Sequence, residues 1–260
     1  MLRLSANLGF LWPDRPLLDR IDAAAKAGFK AIELHWPYDL PAKEVRIRCE
    51  LHGLTLLGVN TVRGNVSAGE MGLGALPGRE RDFQAAVDQS IRFCIEAGGN
   101  AVHCMAGKVD AKDRGRARAV FVQNLREASV KAAAAGITLL LEPLNPNDAP
   151  GYFYSTVAEG CSIIEEAGCS NIKLMFDCYH VGLTEGDVLE KLARFYPVIG
   201  HVQIAAVPSR AEPDEGELDY KMVFETLANL GYDGWIGCEY KPRGETDAGL
   251  GWMRTLGIAL

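Results

Sequence analysis

The stretch Ala135-Gly136-Ile137-Thr138-Leu139-Leu140-Leu141-Glu142-Pro143 decides the fold. A helical pattern closes on Gly136, an apolar run follows at once, and a carboxylate stands where the run ends. Glycine accepts the left-handed backbone conformation that terminates a helix. The unit recurs. Ala27-Gly28 precedes Ala31-Ile32-Glu33-Leu34, His52-Gly53 precedes Thr55-Leu56-Leu57, and Ala97-Gly98 precedes Ala101-Val102-His103. Ala167-Gly168 precedes Ile172-Lys173-Leu174-Met175, and Leu230-Gly231 precedes Trp235-Ile236-Gly237. Leu2–Leu8 and Ile199–Ala205 complete a set of eight strands alternating with helices.

Parallel strands need crossover helices, and a sheet covered on both faces reads as near-continuous apolar runs. Two architectures satisfy this, an open doubly wound sheet and a closed barrel. The units are evenly spread and no G-x-G-x-x-G turn follows the first strand, which favours the barrel. The expectation is one α/β domain, a (β/α)8 TIM barrel over residues 1–260, a length usual for that fold. One connection is out of rhythm. Val62–Arg79 holds Gly64, Gly69, Gly72, Gly74 and Gly78 and follows the third strand. It reads either as a surface loop or as a lid over the substrate.

Composition narrows the function. A net charge of −7 argues against a phosphate-backbone binder and against docking on anionic membranes. No run approaches the ~18 apolar residues of a membrane span. The seven cysteines are scattered without a C-x-x-C pair, so a disulfide framework is not expected and a reducing cytoplasm fits.

In such a barrel, polar residues at the C-terminal strand ends are candidates for chemistry. The fifth to eighth strands each end on one oxygen ligand: Glu142, Asp177, Gln203 and Glu239. Carboxylates converging on the barrel axis repel one another, and a divalent cation resolves the conflict. An all-oxygen set suits Mg²⁺ or Mn²⁺ better than Zn²⁺. Taken singly, any one of these residues could as well be an ordinary ion-pair partner. His180 lies three residues after Asp177 and reads as a hydrogen-bonding partner for substrate or as a loop histidine. Lys241, two residues after Glu239, could orient it, bind a substrate anion or form a surface salt bridge. Arg210 could clamp a carboxylate bidentately or be solvated. Of Glu33 and His35, Glu33 is favoured to face inward. His103 ends the fourth strand without an assigned role, and His201 reads as structural.

The run Gly234-Trp235-Ile236-Gly237-Cys238-Glu239-Tyr240-Lys241-Pro242 resembles the closing strand of the hydroxypyruvate isomerase family, one of the xylose-isomerase-like barrels. Ala75-Leu76-Pro77-Gly78-Arg79-Glu80 resembles it too, as does His201-Val202-Gln203-Ile204-Ala205 with Arg210, Glu212-Pro213 and Gly216-Glu217. Val102-His103-Cys104-Met105-Ala106-Gly107 and Lys241-Pro242-Arg243-Gly244, with Gly249-Leu250-Gly251-Trp252, look closer to its 2-oxotetronate isomerase branch. The resemblance implies a metal-dependent isomerase of short hydroxy-oxo acids and a homo-oligomer. It implies Glu142, Asp177, Gln203 and Glu239 as metal ligands, the same four residues. Glu142 and Glu239 would share the proton transfer, and His180, Arg210 or Lys241 would bind substrate. Two rivals carry similar parts. Ketose 3-epimerases of the same fold have His where Gln203 stands. Metal-dependent nucleases on this barrel need more His ligands and a basic surface, against five His and a charge of −7 here.

Overall fold

The computed structural model describes residues 2–258, so the termini of the expected 1–260 domain lie outside the described residues. Strands β1 (Arg3–Asn7), β2 (Ala31–Glu33), β3 (Thr55–Leu56), β4 (Gly58–Asn60) and β5 (Ala101–His103) are followed by β6 (Thr138–Leu141), β7 (Ile172–Asp177), β8 (Ile199–Ile204) and β9 (Trp235–Cys238). All pair in parallel, in the order β3-β2-β1-β9-β8-β7-β6-β5-β4. The strand expected as the third is broken at Leu57, whose carbonyl accepts from both Asn100 and Ala101. Its first piece pairs with β2 and its second with β5. Gly58 O and Asn60 N still bond back to Leu34 and His35, so the two ends of the order meet and the sheet closes into a barrel.

Helices α1 (Leu17–Ala27), α2 (Ala42–His52), α3 (Glu80–Ala97), α4 (Arg114–Ala134), α5 (Val157–Ala167), α6 (Cys178–Thr184), α7 (Val188–Phe195) and α8 (Tyr220–Asn229) fill the crossovers. α9 (Thr246–Gly249) and α10 (Trp252–Thr255) close the last unit. α3 shows why such helices dock. Phe83, Val87, Ile91 and Cys94 recur at spacings of four and three, all buried on one stripe. α5 starts on a capping box, Thr156 with Glu159, and ends on Gly168 at φ 69°. None of the described helices is long and apolar enough to cross a membrane.

The glycine-rich segment is only partly free. Gly72 (φ 121°) bridges Ala106, and a Cβ there would lie 2.6 Å from the Met105 carbonyl. Gly74 N–H donates to Met105 O, Asn124 Nδ2 donates to Gly74 O, and Leu73 and Ala75 are buried. Residues 65–69 are exposed. Inside the barrel, small residues such as Gly58, Ala101 and Gly200 leave a cavity of about 410 Å³. It runs from Asn100, Lys173 and Trp235, at the N-terminal strand ends, up to Glu33, Gln203 and His103.

Candidate active site

The strand periodicity of two sends Ser5 and Asn7, Asp177, His201 and Gln203 to the interior, and Glu33 and His35 reach it at and just past the end of β2. Glu142 and Glu239 stand directly after β6 and β9, where the chain leaves the sheet. All four candidate ligands are buried, Asp177 at 1% exposure and Gln203 at 2%.

Each of these four side chains presents one buried oxygen without a hydrogen-bond partner: Glu142 Oε1, Asp177 Oδ2, Gln203 Oε1 and Glu239 Oε2. The other polar atoms of Asp177, Gln203 and Glu239 are engaged. Asp177 Oδ1 accepts from Tyr179 N–H at 2.8 Å, capping α6. Glu239 Oε1 accepts from His35 Nε2 at 2.9 Å and from Asn7 Nδ2 at 3.2 Å. Gln203 Nε2 donates to Glu33 Oε2 at 2.9 Å. Glu142 Oε2 lies 3.4 Å from His103 Nδ1. A buried polar atom left unpaired is costly, so four of them on one set of strand ends call for a ligand.

The electrostatics agree. Burial, and then the negative charge of Glu239, push Asp177 up to about 8. Burial, Glu239 and Asp177 together hold Glu142 well above the usual carboxylate range. For Glu239 burial works in the same direction but is outweighed by the His35 hydrogen bond and by Arg210, which bring it down to about 2. The ring therefore carries one firmly ionised carboxylate and two that burial and mutual repulsion keep from ionising unless positive charge arrives.

Glu142, Asp177 and His180 each bring a ligand atom within 4.8 Å of the others, a spacing that fits a metal ion. The histidine's own hydrogen bonds assign it a different part. Nδ1 accepts from the Asn145 backbone N–H at 3.0 Å, and burial lowers the ring to about 3, leaving it neutral. The single proton therefore sits on Nε2, which lies 3.7 Å from Glu142 Oε1 and 3.6 Å from Asp177 Oδ2. His180 is a donor aimed at the site rather than a lone pair offered to a cation.

Arg210 roofs the ring. Its guanidinium lies between Phe10 and Tyr179, 4.7 and 4.8 Å from their ring centres. Nη1 donates to Asp148 at 3.0 Å, Nη2 lies 3.5 Å from Glu239 Oε2, and the buried Nε has no partner. Lys241 is placed elsewhere. The strand ends at Cys238, so the two-residue spacing no longer sets its side, and its side chain is exposed. Its backbone N–H instead holds the Arg210 carbonyl at 2.7 Å.

Residues without a sequence-based role join the site. His35 follows the end of β2, and its Nε2 reaches Glu239 Oε1 at 2.9 Å while Glu33 faces Gln203, so the expectation that one of the pair faces inward is corrected to both. His103 is 2% exposed with both ring nitrogens unpartnered, and burial lowers it to about 4. Its position at a strand end was the available signal. Asn145 and Asp148 lie in the loop after β6 and carry no periodic signal. They hold His180, Tyr179 and Arg210 in place.

Comparison with known proteins agrees with this architecture. Residues 21–256 match the family model described as xylose isomerase-like TIM barrel. The chain is 48% identical to 2-oxo-tetronate isomerase of Cupriavidus necator, over 98% of each chain. It is 37% identical to hydroxypyruvate isomerase of Escherichia coli, over 97% of this chain and 98% of that one. A solved structure titled AP endonuclease, family 2, from Brucella melitensis superposes with a TM-score of 0.96 at 38% identity, covering 98% of this chain and 99% of that chain. A D-psicose 3-epimerase from Clostridium cellulolyticum H10, at 17% identity and a TM-score of 0.81, shares the fold alone. The chain belongs to the xylose isomerase-like TIM-barrel family, among relatives named 2-oxo-tetronate and hydroxypyruvate isomerase.

Proposed function

We propose that this protein is a divalent-metal-dependent isomerase of short hydroxy-oxo acids. It would interconvert aldehyde and ketone forms of hydroxypyruvate or a 2-oxotetronate by proton transfer through an enediolate. The observation that carries the reading is the set of four unpartnered buried oxygens on Glu142, Asp177, Gln203 and Glu239. Three acids and one amide match a hard cation, Mg²⁺ or Mn²⁺. Bound there, the ion supplies Lewis acidity toward a carbonyl and its neighbouring hydroxyl. The names of the relatives support the substrate class.

The protein groups divide the rest. Glu142 and Glu239 follow β6 and β9, three strands apart around the barrel, and so flank a substrate held near the axis. One removes the proton from the carbon beside the carbonyl, and the other serves the adjacent position. His180 Nε2–H donates to a substrate oxygen. Arg210, held by its aromatic neighbours with Nε free, pairs with the substrate carboxylate and keeps water from the roof. All seven cysteines are free, which suits a reducing cytoplasm. The test is a turnover screen with Mg²⁺ or Mn²⁺ against hydroxypyruvate, 2-oxotetronates and ketohexoses. Turnover of the oxo acids supports the reading, and turnover of ketohexoses alone replaces it with epimerisation.

A further inference from the structure

Gln203 is the one candidate ligand whose donor atom is not set by its charge. An amide offers oxygen on one side and NH₂ on the other, and only the oxygen can face a cation. What chooses between them lies on the opposite side of the side chain, in the barrel interior. Glu33 Oε2 accepts from Gln203 Nε2 at 2.9 Å. The other oxygen, Oε1, accepts from Ser5 Oγ at 2.5 Å and lies 3.1 Å from His201 Nε2. As a carboxylate Glu33 can only accept, so the NH₂ of Gln203 must turn to it and Gln203 Oε1 must turn to the site.

The space for this carboxylate is also built in. Gly237, paired across the sheet with both Gln203 and Ser5, stands beside it. A Cβ on Gly237 would lie 2.4 Å from Glu33 Oε1, 2.8 Å from Oε2 and 2.9 Å from Gln203 Cγ. Glu33 cannot swing aside without leaving its donors. Both Glu33 oxygens are already taken, Oε1 by Ser5 and Oε2 by Gln203, so a direct catalytic part does not fit it.

We infer that Glu33 is a positioning residue: it fixes the Gln203 amide so that its carbonyl oxygen faces the metal, in a niche that requires glycine at 237. The inference rests on the metal reading above. Partners of this kind are worth about 10–100-fold in metal affinity.

The experiment measures Mn²⁺ affinity by electron paramagnetic resonance, and the absorption spectrum of the Co²⁺ form, for wild type, E33Q and G237A. In E33Q the amide at 33 can donate to Gln203, so the ligand amide is no longer held one way. The expected result is a Kd for Mn²⁺ raised about 10-fold or more, an altered Co²⁺ spectrum, and a smaller metal-induced rise in Tm. G237A, which crowds the same carboxylate from the other side, should move in the same direction. S5A, which removes one donor to Glu33 and adds no bulk to the niche, should give a smaller loss and serves if E33Q folds poorly. Affinities within twofold of wild type with unchanged spectra would overturn the inference while leaving the metal reading intact. A wild type that binds neither ion would remove both.

Discussion

Raising the pH should destabilise the metal-free protein through Asp177, and the size of the effect follows from its environment. Burial and the neighbouring Glu239 raise Asp177 to about 8 in the folded state, against an unfolded value near the ordinary one of 3.8. The folded state therefore binds a proton that the unfolded state has released. The stabilising protonated form is fully present below the unfolded value and is lost as pH rises through the folded one. Between about pH 7 and pH 8.5 this amounts to roughly 1.2 kcal/mol, at 1.36 kcal/mol per proton and pH unit. Glu142 is shifted the same way. The buried His103 and His180 are lowered, so they cost stability only as pH falls through the ordinary imidazole range, below this window. Asp177→Asn keeps an oxygen to accept from Tyr179 N–H and removes the titrating group. The assay is Tm against pH for chelated wild type and D177N. At ~2–4 °C per kcal/mol for a chain of this size, wild type should fall about 2–5 °C further than D177N across the window. Parallel curves, or a steeper fall in D177N, would refute the reasoning. With saturating Mn²⁺ the wild-type excess should vanish, because the ligands are then ionised at both ends.

Glu142→Gln and Glu239→Gln should each lower kcat by about 10²-fold or more, with metal content measured alongside; near-wild-type rates in metal-loaded variants would argue against acid–base roles. Arg210→Lys keeps the charge but loses the planar fork and the packing between Phe10 and Tyr179, so KM for a carboxylate substrate should rise about 10-fold; an unchanged KM would place the carboxylate elsewhere. In hydrogen exchange, residues 65–69 should gain protection when substrate binds, whereas Gly74 and Ala75, bonded to Met105 and Ala106, should be protected in both states. Uniform fast exchange from Val62 to Arg79 would contradict that division.

What was legible in the chain, and what was not, has physical reasons. All six helix-closing glycines adopt positive φ, from 63° at Gly53 to 107° at Gly28, because a local rule governs them. The four candidate ligands could be named because strands end in register with an axis that the barrel supplies. The break at Leu57 was not visible, since it is set by the two pieces pairing with different neighbours, β2 and β5, that are far from each other in sequence. Lys241 was read on strand spacing that holds only as far as Cys238. Asn145 and Asp148 belong to a loop, where the partner rather than the period decides position. The Glu33 niche depends on Gly237 and Ser5 meeting across strands far apart in sequence, which only the barrel brings together.

The most direct test of the account is turnover of a 2-oxotetronate or hydroxypyruvate in D₂O, by chelator-stripped enzyme with and without added Mn²⁺ or Mg²⁺. The account predicts no turnover by stripped enzyme, recovery on adding the ion, and deuterium at the carbon that receives hydrogen. Full activity in a demonstrably metal-free sample would contradict the metal reading, and complete retention of substrate hydrogen would contradict proton transfer by Glu142 and Glu239.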